Sequence, residues 1–285
     1  MQTLREVIDT YRKEKKALGH FNISDSNQLM AVAHAAMECK LPVVIGLSEG
    51  ERDFFPLGEA RVLVDYYNAQ GAQLYLNADH TYSIEKVQHA LADGVDSVVV
   101  DGAKLPFAEN VLLLQTATKY AKATGGDVLL EGELGYIGLG SEVHDTLPEG
   151  AAATEAMMTT PEELVKFVQE TGADLMAPAV GNIHGIIRSG QPKLSIERIR
   201  QLAEACPVPL VLHGGSGSSD DEFHDAVAAG IVMIHINTDL RVIYKETLTE
   251  TLTSSTEAAP YKFLTPAVEK MQAYVAGKIR LFANV

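Results

Sequence analysis

Residues 73–102 read QLYLNADHTYSIEKVQHALADGVDSVVVDG, two β-rich runs around one segment of helical periodicity. QLYLNADH (73–80) and SVVVDG (97–102) are largely continuous apolar runs ending in Asp, His or Gly. Strands of that kind belong to a parallel sheet covered on both faces, because strict alternation would mark a sheet with one wet face.

The same β-then-α order repeats outward in both directions. The other runs are GHFNIS (19–24), PVVIGLS (42–48), VLLEGELGY (128–136), DLMAPAVG (174–181), PLVLHGGSG (209–217) and IVMIHINT (231–238), eight runs in all. Helix candidates between them include SDSNQLMAVAHAAME with Ser or Asp as N-cap, LGEARVLVDYYNAQG with a glycine stop, and TPEELVKFVQETG with a threonine N-cap and proline in the first turn. Eight βα units in 285 residues predict an α/β fold, a closed TIM (β/α)8 barrel forming a single domain over 1–285. An open doubly wound sheet is the alternative.

A hydrophobic content of 46% suits a sizeable core in a soluble globular protein. The net charge of −15, with no basic cluster beyond RKEKK at 12–16, argues against nucleic-acid or anionic-membrane partners. Cys39 and Cys206 make no disulfide framework and read as reduced core thiols of a cytoplasmic protein. The opening MQTLREVIDTYRKEKK reads as a charged amphipathic helix without the apolar core of a signal peptide, and no window suits a membrane span. One stretch is too long, small and polar for a plain connection: GLGSEVHDTLPEGAAATEAMMTT (138–160), expected to be a mobile lid.

Chemistry in such a barrel gathers at the carboxyl ends of the strands. Three histidines fall there: His80 closes the third run, His184 follows the sixth in VGNIHG, and His213 precedes GGSG in the seventh. One such histidine is ordinarily a satisfied core residue, but three at one barrel end suit a borderline cation such as Zn²⁺ with a position open to substrate. Asp79, Asp101, Glu131 and Glu133 cluster at the same end. Glu133 or Asp101 would serve a second metal position or orient the histidines, and Asp79, next to a ligand in sequence, suits proton transfer.

HGGSG (213–217) and the Asn237–Thr238 turn follow the last two strands, where these barrels hold phosphate. Asp220 and Asp221 fit helix capping equally well. Metal, phosphate site and carboxylate together point to proton abstraction α to a carbonyl in a sugar phosphate. Aldol cleavage, epimerisation and isomerisation all fit, and a non-catalytic barrel remains an alternative.

In NADHTYSIE, VVVDGAKLPFAEN, EGELGYIG, APAVGNIHG, PLVLHGGSG and INTDL, the chain resembles the class II, zinc-dependent ketose-bisphosphate aldolases, a family that includes fructose- and tagatose-1,6-bisphosphate aldolases. The resemblance implies a TIM barrel, usually a homodimer or homotetramer, acting on a small sugar bisphosphate. It implies zinc ligands His80, His184 and His213, with Glu133 and Asp101 at or near a second divalent ion, and Asp79 as the catalytic aspartate. Gly185, Gly214, Gly215, Ser216, Asn237 and Thr238 match the phosphate cradle, commonly beside a monovalent cation such as Na⁺ or K⁺. Glu142 matches the loop glutamate of proton transfer, and Ser48 and Arg280 resemble contacts to the second phosphate, the arginine in some members reaching from a neighbouring subunit.

The match departs from the family in the eighth run. Met233 stands where the family has lysine, and His235 where an asparagine contacts the enediolate, so His235 is expected to bond a substrate oxygen and to titrate near neutral pH. The loop GLGSEVHD departs from the usual GGxEDD. Aldol cleavage of a ketose bisphosphate, fructose 1,6-bisphosphate foremost, is the activity this resemblance implies; tagatose 1,6-bisphosphate, another sugar phosphate or an epimerase reaction are the alternatives.

Overall fold

The computed structural model describes residues 1–138, 140–147 and 154–285. Its strands are β1 (Leu18–Asn22), β2 (Val43–Leu47), β3 (Leu74–Thr81), β4 (Ser97–Val100), β5 (Leu129–Leu134), β6 (Val143–His144), β7 (Leu175–Pro178), β8 (Ile186–Ile187), β9 (Leu210–Leu212) and β10 (Ile231–Ile236). Eight of them close into a parallel barrel in the order β1-β10-β9-β7-β5-β4-β3-β2, the TIM architecture expected from the repeat. The two-residue strands β6 and β8 pair separately above it.

The helices are α1 (Leu4–Glu14), α2 (Ser26–Cys39), α3 (Glu49–Phe54), α4 (Leu57–Asn68), α5 (Ile84–Ala92), α6 (Phe107–Thr124), α7 (Pro161–Thr171), α8 (Ile196–Ala205), α9 (Asp220–Ala229), α10 (Thr238–Ser254), α11 (Pro260–Phe263) and α12 (Thr265–Phe282). Local chemistry explains their starts. Asp25 accepts the N–H groups of Asn27 and Gln28 at α2, and Thr160 and Glu163 cap each other at α7 in front of Pro161. Asp220 and Asp221 lie in the first turn of α9, where their charge opposes the helix dipole, and Ser219 is the cap. No helix is long and apolar enough to cross a membrane among the described residues.

Two cores result. Phe21, Leu29, Val32, Ile45, Leu76, Phe167, Phe223 and Phe282 fill the space between strands and helices. A second cluster joins Leu18, Val44, Tyr75, Leu129, Val211 and Met233 inside the barrel to Leu4, Val7, Ile8 and Tyr11 of α1. The amphipathic α1 therefore plugs the amino end of the barrel, leaving the carboxyl end for the site. Cys206 is buried and Cys39 half-buried, both as free thiols.

Except for β3, which extends one residue to Thr81, the strands are shorter than the sequence runs at their carboxyl ends, because Asp101, Gly102 and the HGGSG glycines already belong to turns. Of the stretch 138–160, residues 139 and 148–153 lie outside the described residues. In the remainder, β6 pairs with β8 and a 3₁₀ turn spans Glu155–Met157.

Candidate active site

Side-chain parity decides which polar groups meet. Leu18, Tyr75, Leu129, Val211 and Met233 face the barrel interior, so residues two and four positions further on point inward as well. That rule brings His20 and Asn22, Asn77 and Asp79, Glu131 and Glu133, His213, and His235 into one buried polar assembly. TIM-barrel interiors are normally filled with branched apolar side chains, so this concentration marks the site.

Parity would send His80 outward, since Asp79 points in. The β3–β4 register shifts between Ala78 and Thr81, and His80 adopts a left-handed backbone with φ +41°. This irregularity re-aims the side chain and lets two successive residues face the site.

His80, Glu133, His184 and His213 offer ligand atoms that all lie within 4.8 Å of one another. Asp101 accepts a hydrogen bond from Nδ1 of His80 at 2.9 Å, leaving Nε2. Glu131, fully buried, holds Nε2 of His213 at 2.7 Å, while Nδ1 of that ring meets Glu133 at 2.9 Å. Nε2 of His184 is buried with no partner among the described residues. Carboxylates behind two of the imidazoles and an orphaned nitrogen on the third are what a divalent cation would use. Asp101 thus stands behind His80, and Glu133 belongs to the histidine cluster itself.

The protonation pattern agrees. Burial would lower His80, but the Asp79 charge, the Asp101 bond and Glu133 outweigh it and push it up to about 9. Burial likewise opposes protonation of His213, yet Glu131 and Glu133 raise it well above the ordinary value. Protons on these two rings neutralise buried carboxylates; a divalent ion would do the same and displace them. Burial lowers His184.

Asp79 lies 2% exposed beside this cluster. Asn22 Nδ2 donates to its Oδ2 at 2.8 Å and to Glu51 at 3.0 Å. Burial penalises its charge, but His80 and His235 overcome that and hold the carboxyl well below its usual range. Nδ1 of His235 is 3.5 Å from the other oxygen, Oδ1. Burial, with His20 and His213 nearby, drives His235 well below its ordinary value, so the expected titration near neutral pH is corrected: the ring is neutral there.

Gly185, Gly214, Ser216, Asn237 and Thr238 line a small inner cleft with Asp79 and His235. Gly214 has φ +62°, and a Cβ there would lie 2.4 Å from the carbonyl oxygen of Ile183, so only glycine fits. Ser216 Oγ accepts the N–H of Asp239 in the first turn of α10. The N–H of Gly215 donates to the His235 carbonyl, so Gly215 shapes the turn and offers no free amide to a phosphate.

Ser48, Glu142, Tyr82, Lys104 and Arg241 line the wider outer mouth. Glu142 is exposed, and its carbonyl accepts the N–H of Ile186 beside the β6–β8 pair. Arg280 is not brought to this mouth. It sits on α12 near the end whose Phe282 carbonyl bonds Ala17 at the amino entry of β1, and it pairs with Glu38 at 2.6 Å. The expected second-phosphate contact from this chain's own Arg280 is corrected accordingly: the residue lies at the opposite end of the barrel.

Sequence reasoning missed Asn22, Glu51 and Arg241. Buried Glu51 accepts from Asn22, the Ser48 amide, Asn237 and Arg241, the last at 2.6 Å. Asn22 carried a usable signal, a polar residue closing an apolar run; Glu51 and Arg241 sit in helices and carried none.

This barrel, with a histidine and carboxylate cluster at its carboxyl mouth, defines a class, and the comparisons agree with it. The description "Fructose-bisphosphate aldolase class-II" matches residues 2–285, and the chain belongs to that family of aldolases, which are lyases. It is 31% identical over 289 residues to the fructose-bisphosphate aldolase of Geobacillus stearothermophilus, covering 99% of this chain and 96% of that one. A probable fructose-bisphosphate aldolase of Bacillus subtilis is also 31% identical, with 99% and 97% covered. Among solved structures, the YdjI aldolase of Escherichia coli K12 superposes with a TM-score of 0.84 at 27% identity, over 98% of this chain and 96% of that one. The fructose-bisphosphate aldolase of Campylobacter jejuni shares the fold at a TM-score of 0.77 and 20% identity, with 99% and 94% covered.

Proposed function

We propose that the chain is a zinc-dependent aldolase that cleaves a ketose 1,6-bisphosphate, fructose 1,6-bisphosphate foremost, reversibly to dihydroxyacetone phosphate and glyceraldehyde 3-phosphate. The observation that carries this reading is the convergence of His80, Glu133, His184 and His213 within 4.8 Å beside the buried carboxylate of Asp79. Zn²⁺ held there would supply a Lewis acid for the substrate's carbonyl and hydroxyl oxygens.

The chain's own groups do the rest. Gly185, Gly214, Ser216 and Thr238 seat the phosphate next to the start of α10, where the helix dipole favours an anion. Asp79, ionised and anchored by Asn22, takes the C4 hydroxyl proton as the C3–C4 bond breaks and the aldehyde leaves. Glu142 at the mouth returns a proton to C3 of the remaining three-carbon fragment. His235, a wall of the inner cleft, contacts a substrate oxygen in place of the family asparagine. The loop around 138–160 acts as the lid, and the enzyme works as a homodimer or homotetramer.

A second reading, an aldolase for a ketose lacking the second phosphate, is favoured by the placement of Arg280 away from the mouth. A coupled triose-phosphate assay with fructose and tagatose bisphosphates and with fructose 1-phosphate, with and without a chelator, tests both. Chelator-sensitive release of two triose phosphates from the fructose substrate is expected; cleavage indifferent to chelator would overturn the zinc reading.

A further inference from the structure

His20 is fully buried in the barrel interior and belongs to none of the roles above. Register pairs it with His235 across neighbouring parallel strands, so both side chains leave the sheet on the same side. Their rings stack with centroids 3.5 Å apart and planes 4° from parallel. The opposite face of His235 lies against His213, at 4.2 Å and 28°. His235 is thus a slab between two others and cannot turn about its ring axis.

The orientation of His20 is itself fixed. Asn77 Nδ2 donates to Ser97 Oγ at 2.7 Å, so its Oδ1 faces Nε2 of His20 at 3.1 Å and that nitrogen carries the proton. The neighbouring strand β2 yields room: a Cβ on Gly46 would lie 2.1 Å from Cε1 of His20. Nδ1 of His20 is left buried without a partner among the described residues. An aliphatic side chain would fill this volume without that penalty, so filling space alone does not account for a flat ring here.

What the stack controls is the edge of His235. Asn22 holds Oδ2 of Asp79; among the described residues Oδ1 has no hydrogen bond of ordinary length, and it is flanked by Nδ1 of His235 at 3.5 Å and Nε2 of His80 at 3.9 Å. We propose that His20 is a positioning residue, which holds the plane of His235 so that its Nδ1–H stays directed at Oδ1 of Asp79. The inference rests on the role given to Asp79 above, and reaches that carboxylate through two rings.

The test uses His20→Ala, His20→Phe and His235→Ala, singly and with His20→Ala and His235→Ala combined. Long-range ¹H–¹⁵N spectra of the zinc-free protein report the tautomer of His235 without any reaction. His20→Ala is expected to move the His235 nitrogens away from the Nδ1–H pattern, and His20→Phe, which keeps a flat ring, to leave them in place. In the zinc-loaded enzyme, His20→Ala should lower kcat about tenfold by misplacing the carboxylate, with KM and zinc content unchanged. Added to His235→Ala it should cost nothing further, because its effect passes through that ring. Losses that multiply, an unchanged spectrum, or equal damage from alanine and phenylalanine would each overturn the proposal. If the alanine variant does not fold, the phenylalanine variant decides alone, by retaining or losing the His235 pattern. Failure of the unaltered enzyme to cleave any ketose phosphate would sink the reading of Asp79, leaving the spectral result standing by itself.

Discussion

Asp101 accepts a hydrogen bond from Nδ1 of His80 at 2.9 Å and takes no place in the ligand cluster of His80, Glu133, His184 and His213. Its carboxylate fixes which imidazole nitrogen is available and how the ring stands. Asp101→Ala should weaken zinc binding by about 10- to 100-fold, as usual for loss of such a partner. Competition with a chromophoric chelator measures this; unchanged affinity would leave Asp101 with no orienting role.

Asp79 sits beside that cluster without joining it, its Oδ2 tied to Asn22 at 2.8 Å. Asp79→Asn keeps the shape and removes the base. We expect kcat to fall by about 10²- to 10⁴-fold, the usual worth of a placed acid or base, with full zinc occupancy. Loss of zinc in parallel with activity would instead make Asp79 a ligand.

The imidazole charges predict a pH dependence that differs between zinc-free and zinc-loaded protein. His80 rises from 6.5 to about 9 in the folded chain, and His213 is also raised. A raised base binds its proton more tightly when folded, so its contribution to stability is complete below about pH 6.5. It declines as pH climbs through the folded value and is gone above it. The melting temperature of the zinc-free protein should therefore fall between about pH 6.5 and pH 9. Zinc needs deprotonated rings and binds better as pH rises, so the loaded protein should show no such fall. Thermal scans of both forms across that window decide the matter.

Much of this was legible in the residues. Eight apolar runs with polar ends place the barrel, because a parallel strand buried on both faces has one composition and its carboxyl end another. The three histidines and Glu133 could be collected from their run positions alone. The joint inward placement of Asp79 and His80 could not, since it depends on a left-handed residue inside β3 that nothing in NADHTY announces. His20 escaped notice because its importance is pairwise: it takes meaning from the register with His235 and from the missing Cβ of Gly46. The place of Arg280 within its own subunit was not legible for the converse reason. Motif likeness put it near a phosphate, while the path of α12 returns it to the amino end of the barrel beside Glu38.

That displacement transfers the question of the distal phosphate to Arg241. Its side chain is 41% exposed at the mouth, with Nη2 on Glu51 and Nη1 on the carbonyl of Ser141. A guanidinium has five donors, so several remain for an anion while Glu51 fixes the head group. A charge-assisted contact is worth about 1.5–3 kcal/mol, so Arg241→Ala should raise KM for a bisphosphate by about ten- to a hundredfold. A ketose phosphorylated only at C1 should lose far less, and the comparison separates recognition of the second phosphate from damage to the Glu51 network. Arg280→Ala removes only a half-exposed pair with Glu38 and should leave KM within about twofold if each chain works alone. If that variant instead loses bisphosphate affinity in an oligomer while Arg241→Ala does not, the distal phosphate is met by Arg280 of a neighbouring subunit.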